Sequence, residues 1–97
     1  MENTMKITDI WGDKVEVTLE KTKYYNGNLA IQLWCEDGPY AMLTVNLPGK
    51  RQKNEAYVDV NNCPWAEDFI RENTLGEPLG RLASSGFCVY PLYRFYE

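Results

Sequence analysis

The sequence contains no histidine among its 97 residues. Histidine is the commonest general base near neutral pH and the commonest transition-metal ligand, so Ser-His-Asp and Cys-His mechanisms are excluded. Its three cysteines, Cys35, Cys63 and Cys88, stand far apart and form no C-x-x-C pair. Phosphate-binding patterns such as G-x-G-x-x-G are also lacking. The sequence therefore predicts reduced thiols, no metal site and no cofactor.

Long apolar segments are lacking as well. No window approaches the roughly 20 apolar residues of a membrane-spanning helix, and the opening MENTMKITDIWGD lacks the basic start and apolar run of a signal peptide. We therefore expect a cytoplasmic protein that does not enter a membrane. The net charge of −4 disfavours a general nucleic-acid binder, because phosphate backbones are bound by clustered Lys and Arg.

Alternating apolar and polar residues are what the sequence has instead. Residues 14–20, 29–36 and 40–47 each place apolar side chains on one face, which is typical of half-buried antiparallel strands. The second of these faces includes Leu33, and the third includes Leu43. A looser alternation in residues 5–11 predicts a further strand before them. At this length we expect a single domain, residues 1–97.

Turn lengths decide whether the apolar faces of neighbouring strands align. A three-residue loop at Asn26-Gly27 would set Cys35 opposite Leu19 and align the two faces, whereas an even loop would not. The next hairpin also needs an odd loop. Because proline cannot take the left-handed conformation that ends a usual three-residue loop, we predict a five-residue Glu36–Tyr40 connection or a bulge.

The second half of the chain changes its period. Residues 56–60 predict a fourth strand, and then Pro64 fits the first position of a helix over 64–73, with apolar residues one turn apart. Residues 74–86 contain three glycines and one proline, which predicts a loop with at most a short strand near 81–83. The final segment predicts a strand in which Pro91 indicates an edge position or a bulge.

Together these patterns predict an α+β fold. We expect a single antiparallel β-sheet of about five or six strands with one α-helix packed on one face.

The chain is rich in tyrosine, with more aromatic residues than one face of a small sheet can bury. Tyr and Trp are favoured where an apolar body meets a wet rim, so an aromatic surface for an unknown protein partner or for self-association is one hypothesis. The other is that these side chains only fringe the core. The residues assigned to the partner surface are Tyr40, Tyr90, Tyr93 and Tyr96.

Two other functional readings remain open. The exposed loop of residues 48–55 contains the only local basic cluster, Lys50, Arg51 and Lys53, which could contact nucleic acid, although the acidic net charge argues against it. A small enzyme could instead use a carboxylate or a cysteine near the predicted helix start, where Asp59 and Cys63 lie.

The chain also resembles a family of short bacterial proteins of unknown function that are often encoded on conjugative and other mobile elements. The resemblance covers residues 28–95 and rests on L-A-I-Q-L, N-L-P, D-x-N-N-x-P and G-F-x-x-Y-P-x-Y-x-F. It implies no catalytic residue. It does imply an accessory role, such as binding a host or element protein, and the function expected is therefore a non-enzymatic interaction module.

Overall fold

The computed structural model describes residues 4–97 and shows two four-stranded antiparallel sheets with one short helix. The first sheet has the order β1-β2-β3-β4, with β1 (Met5–Thr8), β2 (Lys14–Lys23), β3 (Leu29–Cys35) and β4 (Gly38–Met42). The second has the order β5-β6-β8-β7, with β5 (Thr44–Val45), β6 (Glu55–Val58), β7 (Gly76–Ser85) and β8 (Cys88–Phe95). The helix α1 (Ala66–Glu72) follows β6 along the chain. The α+β class is confirmed, whereas the expectation of a single sheet with five or six strands is wrong.

Leu43 is the residue at which the chain passes from the first sheet to the second. Its N–H donates to the carbonyl oxygen of Ile31 at 2.9 Å, and its own carbonyl oxygen accepts from the N–H of Asp59 at 2.9 Å. The segment that alternates as one strand in the sequence is thus divided between two neighbours, β3 on one side and the end of β6 on the other. This division explains why the structure has two sheets although the sequence predicted one.

One apolar core lies between the two sheets and the helix. Val17, Leu33 and Leu43, which the alternation predicts to lie on the apolar side, are at most 1% exposed. The helix contributes Ala66, Phe69 and Ile70 to the same core. From the second sheet the core receives Ala56, Val58, Tyr93 and Phe95.

The β2–β3 and β3–β4 hairpins satisfy the parity requirement in different ways. Leu19 pairs with Leu33, so the apolar faces align as predicted. The N–H of Tyr24 donates to the carbonyl oxygen of Asn28 at 2.9 Å, which closes a loop of the predicted three residues, but the register differs by two from the predicted Cys35 pairing. Between β3 and β4 a two-residue turn joins Cys35 to Gly38, and a register shift follows between Leu33 and Trp34. The bulge was one of the two solutions predicted for this hairpin.

The helix begins two residues later than predicted. The N–H of Ala66 donates to the carbonyl oxygen of Cys63 at 2.9 Å, which closes a turn around Pro64 before regular helix starts. Glu67 and Asp68 occupy the first turn, where negative charge is favoured. No helix within residues 4–97 is long and apolar enough to cross a membrane.

The prediction of a loop over residues 74–86 is wrong, since β7 runs along β8 for ten residues. Its glycines are needed within the strand. A Cβ atom at Gly76 would collide with the carbonyl oxygen of Arg94, and Gly80, with φ of 76°, lies in a bulge between Pro78 and Leu82. Glycine allows such close backbone approach and such bulges inside a strand.

Pro91 lies in a central strand and not at an edge, because β8 pairs with β6 on one side and with β7 on the other. The structure accommodates the proline by ending the ladder with β6 at Leu92, the residue that follows Pro91. On the other side, Pro91 pairs with Leu82, the first residue after the bulge in β7. The bulge that proline indicates is therefore present, but on the neighbouring strand.

Candidate functional site

The four tyrosines assigned to a partner surface are not all exposed. Tyr90 is 8% exposed and Tyr93 is 4% exposed, so the expectation that they form an accessible surface on this chain is wrong. Tyr96 is 44% exposed, and Tyr40 is half-buried with its ring 6.0 Å from that of Trp65. The aromatic surface as predicted is thus reduced to Tyr96 and part of Tyr40.

Tyr90 and Tyr93 are both buried because β8 changes its buried side along its length. In its first half the even-numbered Tyr90 and Leu92 are buried, and in its second half the odd-numbered Tyr93 and Phe95 are. Two adjacent buried residues, Leu92 and Tyr93, mark the change. Simple alternation along the strand cannot predict a change of this kind.

Tyr93 is held by the helix. Its hydroxyl donates a hydrogen bond to Oε2 of Glu67, and burial together with this carboxylate raises the pKa of Tyr93. The side chain that would have reached a partner therefore fixes the helix against the second sheet.

Exposed apolar side chains gather instead at the outer end of the β7–β8 hairpin. Leu82 is 70% exposed, Val89 is 49% exposed and Phe87, in the turn, is fully exposed. Ser84 pairs with Val89, and Ser84 lies two residues from Leu82 along β7, so Leu82 and Val89 share one face of the hairpin. We call Leu82, Phe87 and Val89 the hairpin surface.

This end of the hairpin is uncharged. Residues 82–93 contain no Asp, Glu, Lys or Arg, although a quarter of the whole chain is charged. The hairpin surface consequently presents apolar groups without the surrounding ionic side chains that keep most exposed strands solvated.

The hairpin also has a free edge. The strand order places β7 at the end of the second sheet, so along its outer side it pairs with no strand of residues 4–97. The first half of β7 has Pro78, a bulge and Arg81, features that discourage another strand from pairing. The second half, 82–85, has none of them.

Arg51, from the predicted basic cluster, bonds to groups of its own chain. The guanidinium of Arg51 donates to the carbonyl oxygens of Leu47 and Pro48 at 2.9 and 2.8 Å and lies 4.7 Å from the ring centre of Tyr57. Its backbone N–H donates to Oδ1 of the buried Asn28 at 2.9 Å. Arg51 therefore shapes its own loop, and its charge is not directed outward.

The two lysines of that cluster supply little positive field. Lys53 Nζ lies 3.9 Å from a carboxylate oxygen of Glu97, and both side chains are largely exposed. Lys50 is exposed on the same loop. One exposed ammonium, one ammonium facing a carboxylate and one internally bonded guanidinium do not make the continuous basic patch that a phosphate backbone requires.

The residues considered for catalysis also form hydrogen bonds within the chain. Asp59 is buried and accepts from the N–H and the side-chain amide of Asn62, at 3.2 and 2.9 Å. Cys63 is buried, its Sγ donates to the carbonyl oxygen of Met42 at 3.5 Å, and burial raises its pKa to about 11. Such a thiol stays protonated near neutral pH, which makes it a poor nucleophile.

A groove of about 450 Å³ runs between the helix and the start of β7. Glu67, Asp68 and Glu77 line it, but each already has a partner: the Tyr93 hydroxyl, the Arg71 guanidinium and the Arg94 guanidinium. Neither Asp59 nor Cys63 reaches this groove. Within the described residues 4–97, no three His, Cys, Asp or Glu side chains come together as metal ligands would.

Sequence reasoning missed the hairpin surface because it read residues 74–86 as a loop. The signal was present in L-A-S-S-G-F-C-V, where a Ser-Gly turn signal separates two short segments that can pair. Ser85 does pair with Cys88 across a two-residue turn.

Comparison with known proteins places residues 18–97 in one family. They match the family described as Domain of unknown function (DUF4313), and the match covers most of the chain, so the chain belongs to that family. No curated protein and no solved structure is significantly similar to it.

Proposed function

We propose that this DUF4313 member is a non-enzymatic interaction module that binds another protein chain through the hairpin surface. The observation that supports this most directly is the grouping of Leu82, Phe87 and Val89, all exposed, on an uncharged hairpin beside a free strand edge. Single exposed apolar residues are ordinary, but several of them grouped on one hairpin are typical of a contact surface.

Burial of this surface would favour association. Full burial of a Val, Leu or Phe side chain is worth roughly 1.5–3 kcal/mol, so three such side chains offer about 4.5–9 kcal/mol before the cost of association is counted, with less from Val89, which is already half-buried. Backbone hydrogen bonds along the free edge of β7 would add specificity to that contact. The main anchor is Phe87, because its whole ring is accessible and aromatic side chains dominate contact energies.

The biological setting is part of the same proposal. The resemblance described above implies bacterial mobile elements, which would make the partner a protein of the element or of its host.

Affinity capture with a matched pair of variants tests the proposed function. The tagged wild-type chain should retain a specific partner from its own cells, and Phe87→Ser should lose it with an unchanged thermal midpoint, since Phe87 contributes nothing to the core. Tyr25→Ser removes an equally exposed aromatic residue from the β2–β3 turn and should retain the partner. Equal capture by Phe87→Ser and the wild type would refute the hairpin surface as the binding site.

A further inference from the structure

We propose that the occupant of the β7 edge is a second copy of this chain, paired antiparallel through residues 82–85 about a two-fold axis at Ala83. This inference deepens the proposed function and rests on it, because it names the protein that the hairpin surface contacts. The result is one continuous sheet in which β7 of each copy becomes a central strand.

Edge protection selects the second half of β7 for this contact. In natural sheets, proline, charged side chains and bulges at an edge strand prevent another strand from pairing with it. The part of β7 up to Arg81 has all three features. From Leu82 to Ser85 β7 has no such feature, although Leu82 itself is exposed. An unguarded edge next to exposed apolar side chains is the arrangement expected of an edge that is covered in the assembled protein.

Symmetry then restricts the register. In an antiparallel pair, residues directly opposite one another lie on the same face of the sheet, so a two-fold axis must pass through a residue paired with its own equivalent. With the axis at Ala83, Leu82 lies opposite the second copy's Ser84, and Ser84 lies opposite the second copy's Leu82. A large side chain meets a small one twice, and two small alanines meet at the axis.

The same register joins the two hairpin surfaces. Within one chain Ser84 pairs with Val89, so the order of side chains across the four adjacent strands is Val89, Ser84, the second copy's Leu82 and the second copy's Pro91. Its symmetry equivalent lies alongside. Leu82 of each copy is thereby flanked on both sides, and a single apolar strip extends across the two hairpins.

Charge permits a second copy as the occupant of this edge. Each chain has a net charge of −4, which opposes self-association over most of the surface. Residues 82–93 are free of charge, so two copies that pair here bring together segments between which this repulsion is absent. Arg81 lies two residues from the axis and faces the second copy's Ser85, which places no like charge directly opposite another.

The experiment measures molar mass by sedimentation velocity over a concentration series of the full chain. The wild type should approach about twice 11.3 kDa as concentration rises. Leu82→Glu should remain at the monomer mass, because it places two carboxylates diagonally across the axis. The control Tyr25→Glu introduces the same charge at an exposed residue between β2 and β3, outside the β7–β8 hairpin, and should dimerise like the wild type. Thermal midpoints of all three show that each variant is folded.

A second variant tests the register directly. Ala83→Cys brings its two thiols together at the axis, where opposite Cα atoms lie about 4.5–5.5 Å apart, so oxidised glutathione should convert it to a covalent dimer. The wild type, which has Cys35, Cys63 and Cys88, shows the background. A wild-type dimer that Leu82→Glu leaves intact, or that Ala83→Cys does not cross-link, would overturn this pairing.

The outcomes also separate this inference from the proposed function. A wild-type chain that is monomeric at every concentration refutes self-pairing. If Phe87→Ser still abolishes capture of another protein, the hairpin surface retains its proposed role with a different occupant. If neither self-association nor capture depends on the hairpin, both proposals fail together.

Discussion

At the scale of single residues, Cys63 illustrates how burial decides chemistry. It follows the D-x-N-N segment and precedes the helix, a position at which free N–H groups could stabilise a thiolate. The structure shows the opposite effect, because burial and the nearby Asp59 carboxylate both raise the pKa of Cys63, to about 11. Cys63 is thus a packing residue whose neutral form the fold prefers.

This preference predicts a loss of stability at alkaline pH. The unfolded chain ionises the Cys63 thiol near its ordinary pKa of 9, whereas the folded chain holds the proton up to about 11. The stabilisation is therefore complete below pH 9 and is lost as the pH rises from 9 towards 11. Urea unfolding between pH 8 and 11 should show the free energy of unfolding falling over this range.

Cys63→Ala provides the control for that titration. Burial also raises the pKa of Tyr24 and Tyr93, so part of the decline persists in the variant and lies at higher pH. The variant should lose stability less steeply than the wild type between pH 9 and 10. Parallel declines in the two proteins would contradict the elevated thiol pKa.

At the scale of structural elements, β7 shows why glycine in a sequence does not always mean a loop. Gly76 and Gly80 lie in the same strand but for different reasons. At Gly76 the backbone of β8 is so close that any Cβ atom would meet the carbonyl oxygen of Arg94. A Cβ atom added at Gly80 would have no other part of the protein within 4 Å, so only the positive φ of 76° requires glycine there.

The two glycines predict different costs for the same substitution. Gly76→Ala should destabilise the protein by about 3 kcal/mol, because two strand backbones must separate. Gly80→Ala should cost only about 1 kcal/mol, the penalty for an L-residue at positive φ. Chemical denaturation measures both, and equal losses would show that β7 and β8 do not approach closely at Gly76.

Local patterns in the sequence predicted some elements and missed others for identifiable reasons. Val17 and Leu33 could be assigned to the core because the buried residues next to them alternate along β2 and β3, although Ala30, on the other side of β3, is buried as well. Tyr90 and Tyr93 could not, because β8 buries one side first and then the other, and only the neighbouring elements determine where the change falls. The hairpin surface was missed for the same reason, since pairing with β8 makes β7 a strand despite its glycines.

At the scale of the whole molecule, the two sheets depend on each other through Leu43. Its backbone bonds to β3 and to the segment after β6, and its side chain is completely buried in the core that the sheets and the helix share. Neither four-stranded sheet has a separate core, because residues of both belong to one cluster. The prediction of a single domain therefore requires that the sheets unfold together.

Leu43→Ala tests this cooperativity. The truncation should lower the free energy of unfolding by about 3–4 kcal/mol, as for other fully buried leucines. Tryptophan emission comes from the exposed Trp11 between β1 and β2, from Trp34 in the first sheet and from Trp65 at the helix start. This emission and far-ultraviolet circular dichroism should then report one shared transition at lower denaturant. Two separated transitions, with the second sheet persisting after tryptophan emission has changed, would mean that the sheets fold as independent units and that Leu43 only connects them.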